Sequence, residues 1–282
     1  MSITDTRTVG SIVGGDDRSD GQRIESRNPA NLEDVICEAV LADADTFVDA
    51  CRAARAAQRD WAAVPAPVRG NVVKQIGRLV EDNKEALSRL VTREIGKPYP
   101  ESLGEVQEII DTCDFFLSEG RRLYGQTVPS EMPDKQLFTF RNPVGVAAII
   151  TAGNFPVAVP SWYLVPAILC GNAVVWKPAE YAPALGDALA RLFIAGGLPD
   201  GVFNLVQSDG PSAFDGLTRA LDEGLVDKVG FTGSSAVGSK IGELTGRHGQ
   251  AACLELGGKN PLVVMPEADL DLAVEGTLFS GF

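Results

Sequence analysis

One long uncharged run limits the possible folds of this chain more than any other feature. No charged residue occurs from Asn142 to Trp176. The run is long enough to cross a bilayer as a helix, but its prolines and glycines interrupt it too often for one continuous lipid-facing helix. It instead predicts a strand (Val144–Ile150), a buried helix (Val159–Leu169) and a second strand (Ala173–Trp176). Because parallel strands covered on both faces are apolar throughout, the run favours a parallel sheet inside a large core.

The pattern around this run alternates between strands and helices. Alternation at this rhythm predicts an α/β fold with a doubly wound parallel sheet of the Rossmann type. The further predicted elements are strands at Val202–Val206, Lys228–Phe231, Cys253–Leu256 and Leu262–Met265, and helices at Pro183–Ile194, Ser212–Leu221 and Ala236–Gly246.

The chain divides into five predicted segments. Residues 1–22 contain glycines and aspartates with little apolar pattern, which predicts a loose N-terminal arm. Residues 23–124 begin with extended pieces and continue as an N-terminal helical region with apolar residues at three- and four-residue spacing. Residues 125–143 predict an extended bridging arm of two strands. Residues 144–260 form the predicted Rossmann-like core, and residues 261–282 begin a further domain.

Composition excludes several classes of protein. Of the 282 residues, 45% are hydrophobic and 22% are charged, as in a globular protein with a sizeable core. The net charge of −13 would repel a phosphate backbone or an anionic lipid surface, so we expect no nucleic-acid partner and no membrane partner. Five scattered cysteines without a CxxC pair, and a single histidine, predict neither a disulfide framework nor a metal site. They favour a cytoplasmic location.

The segment FTGSSAVG (Phe231–Gly238) follows a predicted strand and opens a predicted helix. In that setting, backbone N–H groups and the helix dipole hold phosphate. The glycine spacing is not GxGxxG, and the lysine that a P-loop needs directly after its second glycine is absent. The residues alone leave open a phosphate-binding turn and an ordinary helix start capped by Ser234 or Ser235.

The segment WKPAE places Lys177 and Glu180 just after a predicted parallel strand. Nucleotide ligands bind at this end of such strands. A glutamate can accept hydrogen bonds from both ribose hydroxyls, whereas a 2′-phosphate would meet its negative charge. The alternative is a solvated ion pair at the start of a helix.

The segment GNFPV (Gly153–Val157) carries Asn154 in the loop after the strand Val144–Ile150. A side-chain amide there can donate a hydrogen bond to an oxygen that becomes negative, as in an oxyanion hole. The alternative is an asparagine that satisfies the backbone of its own loop.

The segment LELGGK (Leu254–Lys259) places Glu255 in an apolar strand that ends in two glycines. Burial would raise the pKa of the Glu255 carboxyl and suit it to act as a general base. Cys253 lies two residues earlier on the same strand face. We expect it to be a small buried side chain, with a nucleophile as the rival interpretation.

Together, the segments FTGSSAVG, GNFPV and LELGGK resemble the aldehyde dehydrogenase superfamily, and the resemblance runs over essentially the whole chain. The resemblance implies NAD as cofactor, with NADP less favoured, an aldehyde substrate and a homo-oligomer joined through the bridging arm. The residues around Asn154 are similar to a branch that oxidises semialdehydes. The resemblance assigns catalysis to Asn154 and Glu255, and cofactor binding to Ile150, Thr151, Lys177, Glu180, Gly210, Phe231, Gly233, Ser234, Val237 and Leu256.

The family also implies a cysteine nucleophile on a loop after the glutamate. No cysteine follows Glu255 in this sequence. We therefore expect an N-terminal portion of an aldehyde dehydrogenase, with most of the catalytic domain missing and no activity on its own. The alternatives are a non-catalytic dinucleotide-binding or oligomerisation module and a P-loop-like nucleotide hydrolase.

Overall fold

The computed structural model describes residues 7–281, so the first six residues of the predicted N-terminal arm lie outside it. Its strands are β1 (Arg7–Val9), β2 (Ser11–Val13), β3 (Asp16–Arg18), β4 (Gln22–Asn28), β5 (Asn31–Leu41), β6 (Thr127–Val128), β7 (Leu137–Phe138), β8 (Val146–Ile150), β9 (Ala173–Lys177), β10 (Phe203–Leu205), β11 (Lys228–Gly233) and β12 (Cys253–Leu256). Its helices are α1 (Ala44–Ala63), α2 (Ala66–Asp82), α3 (Lys84–Ile95), α4 (Tyr99–Glu119), α5 (Ala158–Leu169), α6 (Pro183–Ala195), α7 (Gly210–Asp222), α8 (Ser235–Arg247) and α9 (Leu270–Gly281).

A seven-stranded sheet in the order β12-β11-β8-β9-β10-β2-β3 forms the centre of the molecule. The pairs from β12 to β10 are parallel, whereas β2 and β3 continue the sheet antiparallel. The register of β8 with β9 sets Val146 opposite Ala173 and Ile150 opposite Lys177. The predicted doubly wound α/β fold is therefore confirmed. Within residues 7–281, no helix is both long enough and apolar enough to cross a bilayer.

Helices cover both faces of this sheet, and each face has its own core. Successive residues of a strand point to opposite faces, so Ala147 and Ile149 pack in one core while Val146 and Ala148 pack in the other. The first core is built mainly with α2 to α6, and the second with α1, α7 and α8. Coverage on both sides explains why the uncharged run that contains β8, α5 and β9 lacks charge.

The segment predicted as a loose N-terminal arm is ordered over its described part, which corrects that expectation. β1 pairs with β5, and the β2–β3 hairpin extends the central sheet. Val9, Ile12 and Val13 are buried. Gly14 and Gly15 form the hairpin turn with positive φ angles of 63° and 94°, which glycine adopts without a steric penalty. Three-residue strands are too short to show a recognisable alternation in the sequence.

The bridging arm contains the two predicted strands, β6 and β7, which pair as a small hairpin. Most of its side chains are exposed, with Phe140 78% accessible and Phe138 54% accessible.

The last predicted strand, Leu262–Met265, is wrong: the chain there is irregular and its apolar side chains are exposed. A strand needs a neighbour to pair with, and β12 pairs only with β11 within the described residues. The α9 helix that follows was not predicted, and it contains no buried residue.

The buried carboxylate of Glu94, on α3, links that helix to β4 and α6. It accepts hydrogen bonds from the Ser26 hydroxyl (2.8 Å) and from the backbone N–H groups of Ala184 (3.0 Å) and Leu185 (2.8 Å) at the start of α6. Burial raises the pKa of the Glu94 carboxyl to about 7, although the three donors oppose this shift.

This carboxylate should make the protein less stable as the pH rises. Between pH 4.5 and about 7 the folded chain binds a proton at Glu94 that the unfolded chain has released, so the free energy of unfolding falls across that window. A shift of this size corresponds to about 3 kcal/mol. Urea unfolding at pH 5 and pH 8 should show that Glu94→Gln removes about this much of the difference. The exposed Glu85 on the same helix provides the control, Glu85→Gln, and an equal effect of both variants would contradict the assignment.

Candidate functional site

A cleft of about 240 Å³ lies at the carboxyl ends of the central strands β8, β9 and β11. Eight of the ten residues predicted to bind a cofactor line it, although they come from four separate segments. The lining residues are Ile150, Thr151, Ala152, Lys177, Ala179, Glu180, Tyr181, Gly210, Ala213, Phe214, Phe231, Thr232, Gly233 and Val237. Ser234 and Leu256, the other two predicted residues, are exposed beside the cleft rather than in its wall.

The helix α8 begins at the edge of this cleft. The Ser234 hydroxyl accepts a hydrogen bond from the Val237 N–H at 3.4 Å and thereby caps the helix. The other N–H groups of the first helical turn have no partner within the helix and carry the positive end of the helix dipole. The structure therefore combines both interpretations of this segment, since a capped helix start still presents donors that suit phosphate.

Lys177 and Glu180 face the cleft with different exposures. The Lys177 side chain is 7% accessible and the Glu180 side chain 50%, and their Nζ and Oε2 atoms are 4.0 Å apart. Burial lowers the pKa of the Lys177 ammonium group, opposed by the nearby carboxylates of Glu180 and Asp209. The same Glu180 oxygen accepts a hydrogen bond from the Gly210 N–H at 3.2 Å. The carboxylate is thus oriented by the first residue of α7 and still reaches solvent in the cleft.

The loop between β8 and α5 carries Asn154. The Thr151 N–H donates to the Lys177 carbonyl oxygen at 3.2 Å, and the Thr151 hydroxyl oxygen accepts from the Trp176 indole N–H at 3.0 Å. The Asn154 side chain is exposed and makes no hydrogen bond within residues 7–281. The structure therefore does not support an asparagine that satisfies its own loop, and it leaves the amide able to donate elsewhere.

Tyr181 is a cleft residue that the sequence analysis missed. Its hydroxyl oxygen accepts a hydrogen bond from the Gly153 N–H at 3.3 Å. A Cβ atom at position 153 would overlap the Tyr181 ring, so glycine is required for this close approach. Tyr181 directly follows Glu180 in sequence, and that adjacency was the one available signal.

Glu255 and Cys253 are exposed, which corrects the prediction that both are buried. Their strand β12 is an edge strand in the described chain, and register with β11 sets Glu255 opposite Thr232. An alternating apolar strand is buried only where a further layer covers it.

Both residues line a second cavity of about 540 Å³. The Tyr163 hydroxyl and the Thr232 hydroxyl lie 3.0 Å apart in its wall. The complete lining is Val159, Trp162, Tyr163, Thr232, Cys253, Leu254 and Glu255. Asn154 is not in the wall of either cavity, so the structure does not place the two predicted catalytic side chains in one pocket.

Three of the other cysteines, Cys51, Cys113 and Cys170, are poor nucleophiles. Burial raises the pKa of the Cys51 and Cys113 thiols to about 12. Burial also raises the pKa of Cys170, although the positive charges of Arg69 and Arg141 oppose it. Low-pKa thiolates are needed for nucleophilic attack at neutral pH.

Comparison with known proteins gives a consistent family assignment. A family profile described as the aldehyde dehydrogenase family matches residues 16–282. An α-ketoglutarate semialdehyde dehydrogenase of Haloferax volcanii is 39% identical over 93% of this chain and 54% of its own length. An NADP(+)-dependent succinate-semialdehyde dehydrogenase of Escherichia coli is 38% identical over 94% of this chain and 54% of its own length.

Solved structures agree with the sequence comparisons. An NADP-dependent enzyme of E. coli superposes with a TM-score of 0.92 at 36% identity, covering 97% of this chain and 56% of that one. An aldehyde dehydrogenase from Bacillus cereus in complex with NAD+ superposes with a TM-score of 0.90 at 31% identity, covering 98% and 56%. The chain spans about half the length of the curated relatives it matches.

Proposed function

Because this chain belongs to the aldehyde dehydrogenase family, we propose that the whole protein oxidises an aldehyde to a carboxylic acid with a nicotinamide dinucleotide as cofactor. The observation that supports this most is the convergence of eight predicted cofactor residues on one cleft. That cleft lies at the carboxyl ends of parallel strands, where dinucleotides bind in doubly wound sheets.

The cleft suits two polar parts of a dinucleotide, the pyrophosphate and one ribose. The first turn of α8 offers N–H donors for a pyrophosphate, and Glu180 offers carboxylate oxygens for ribose hydroxyls. When bound, the nicotinamide group accepts a hydride. The Asn154 amide donates a hydrogen bond to the oxygen of the aldehyde as negative charge develops there. Glu255 removes a proton from the water that releases the acid from a cysteine thioester.

A semialdehyde is the proposed substrate class. The relatives from Haloferax volcanii and E. coli are named for α-ketoglutarate semialdehyde and succinate semialdehyde. The whole protein should therefore reduce cofactor faster with carboxylated aldehydes than with simple alkyl aldehydes of equal length, as measured by absorbance of the reduced nicotinamide. Equal kcat/KM values for the two sets would contradict this. We place the protein in the cytoplasm as part of the same proposal.

NAD is the proposed cofactor rather than NADP, because Glu180 would accept ribose hydroxyl bonds and repel a 2′-phosphate. Glu180→Gln should raise the Kd for NAD by about 10- to 100-fold, the loss expected for a charge-assisted hydrogen bond. The Kd for NADP should rise less or fall. Titration by protein fluorescence measures both. Glu223→Gln, on the surface beside Arg52, is the control that should leave both unchanged. Equal losses for the two cofactors would contradict the ribose assignment.

Self-association through the bridging arm is also part of the proposal. Phe138 and Phe140 are exposed, and among the described residues β6 and β7 pair only with each other. Exposed apolar side chains and free strand edges favour association with a partner. Light scattering at tens of micromolar, roughly where weak interfaces begin to fill, should show dimers or larger assemblies. Substitution of both phenylalanines by serine should shift the mass towards the monomer. An unchanged mass would show that the two phenylalanines of the arm do not contribute to the interface.

A further inference from the structure

An ion pair between the partly buried Lys97 and the buried Glu105 contacts the loop that carries Asn154. Lys97 Nζ is 2.6 Å from Glu105 Oε2, and the two side chains are 10% and 0% accessible. Lys97 lies in the turn between α3 and α4, and Glu105 lies in the second turn of α4. Removing two charges from water costs several kcal/mol, which excellent geometry and further hydrogen bonds must offset. The further contacts of Glu105 and Lys97 therefore show which parts of the chain this ion pair keeps in place.

The second oxygen of Glu105 binds the start of α5. Glu105 Oε1 accepts hydrogen bonds from the N–H groups of Val157 (2.9 Å) and Ala158 (3.2 Å). Val157 is the N-cap of α5, and no side chain of that cap position makes a capping bond. A carboxylate at this end also interacts favourably with the helix dipole. One side chain of α4 thus fixes the point at which the Asn154 loop ends.

The ammonium group of Lys97 contacts the same loop at Phe155. Its Nζ lies 3.6 Å from the centre of the Phe155 ring, a cation–π contact with the residue that follows Asn154. On the other side of Asn154, the Gly153 N–H donates to the Tyr181 hydroxyl. Asn154 therefore lies between two restrained neighbours, while its own amide has no partner in the described chain.

We propose that Lys97 and Glu105 are positioning residues for Asn154. They act through the loop and do not touch the substrate: Glu105 fixes the end of the loop and Lys97 fixes Phe155, which together set the direction of the Asn154 amide. The proposal rests on the function proposed above for that amide. The rival is a structural link between α4 and α5 that lowers stability when lost but leaves the loop unchanged.

Hydrogen exchange distinguishes these two without any turnover. In Lys97→Met, the backbone amides of residues 153–155 and 157–158 should exchange about tenfold faster or more, as expected for the loss of one charge-assisted contact. Lys84→Met is the matched control, because Lys84 Nζ likewise reaches α4, at Gln107 Oε1 (2.5 Å), but has no contact with the loop. Lys97→Arg should restore most of the protection. Glu105→Gln, which keeps an acceptor for the two N–H groups, provides a second variant. Unchanged exchange in the loop in both Lys97→Met and Glu105→Gln would overturn the proposal.

Kinetics of the whole protein then tests the link to Asn154. Lys97→Met should lower kcat at least about tenfold, with the KM for the cofactor unchanged, because misplacing one oxyanion donor forfeits part of its 10²–10³-fold effect. In an Asn154→Ala background the same substitution should cause no further loss, since coupled residues are not additive. If Lys97→Met instead lowers kcat in the Asn154→Ala background by the same factor as in the unsubstituted protein, the proposal would be overturned. Absence of turnover in the unsubstituted protein would instead refute the proposed function, and the exchange result would still decide the positioning role.

Discussion

Replacing Glu255 by glutamine should slow steady-state turnover of the whole protein by about 10²–10⁴-fold, the usual contribution of a general base. Glutamine has nearly the same shape but cannot accept a proton from water. Only the release of the acid should suffer, because hydride transfer precedes it. Stopped-flow absorbance should therefore show an undiminished initial burst of reduced cofactor followed by a much slower steady state.

The control for this experiment is Glu267→Gln, an exposed carboxylate further along the chain. It should leave both phases unchanged. A Glu255→Gln variant that loses the burst as well would place Glu255 before hydride transfer and contradict its role as the base for water. Unchanged steady-state turnover would remove Glu255 from the catalytic site altogether.

Substituting Asn154 by alanine should lower kcat by about 10²–10³-fold, the cost measured for removal of one oxyanion donor. The loss should appear in the burst phase, because the amide acts when the oxygen of the aldehyde becomes negative. Cofactor affinity should not change, since Asn154 is absent from the wall of the cleft. Asn71→Ala, on the exposed face of α2, is the matched control. A rise in KM with an unchanged kcat would show uniform binding rather than oxyanion stabilisation.

The parts of the fold with a strong local signal could be predicted from the sequence. The strands β8 and β9 and the helix α5 lie within a few residues of their predicted bounds, because burial on both faces leaves a continuous apolar run. The cleft could be predicted as well, since its residues directly follow strands whose carboxyl ends must meet at one edge of a parallel sheet.

Other features depend on neighbours that the local pattern does not reveal. The alternation around Glu255 indicates which side chains share a face, but whether a further layer covers that face is a tertiary property. The contact between Glu105 and the start of α5 joins residues more than fifty positions apart. The largely covered side chain of Lys97 was not predicted for the same reason, because a lysine after a glycine in a turn ordinarily indicates a solvated side chain.

The place of the β2–β3 hairpin has a consequence for the order in which the chain is made. Ile12 pairs with Leu205, so 193 residues (205 − 12) separate the first strand to be synthesised in the central sheet from its partner. At about 5–20 residues per second, a ribosome needs roughly 10–40 s to produce that partner. During this interval the apolar side chains of β2 have no β10 to pack beside. Ile12 and Val13 of the nascent chain must therefore be kept from non-native apolar contacts until β10 has been synthesised.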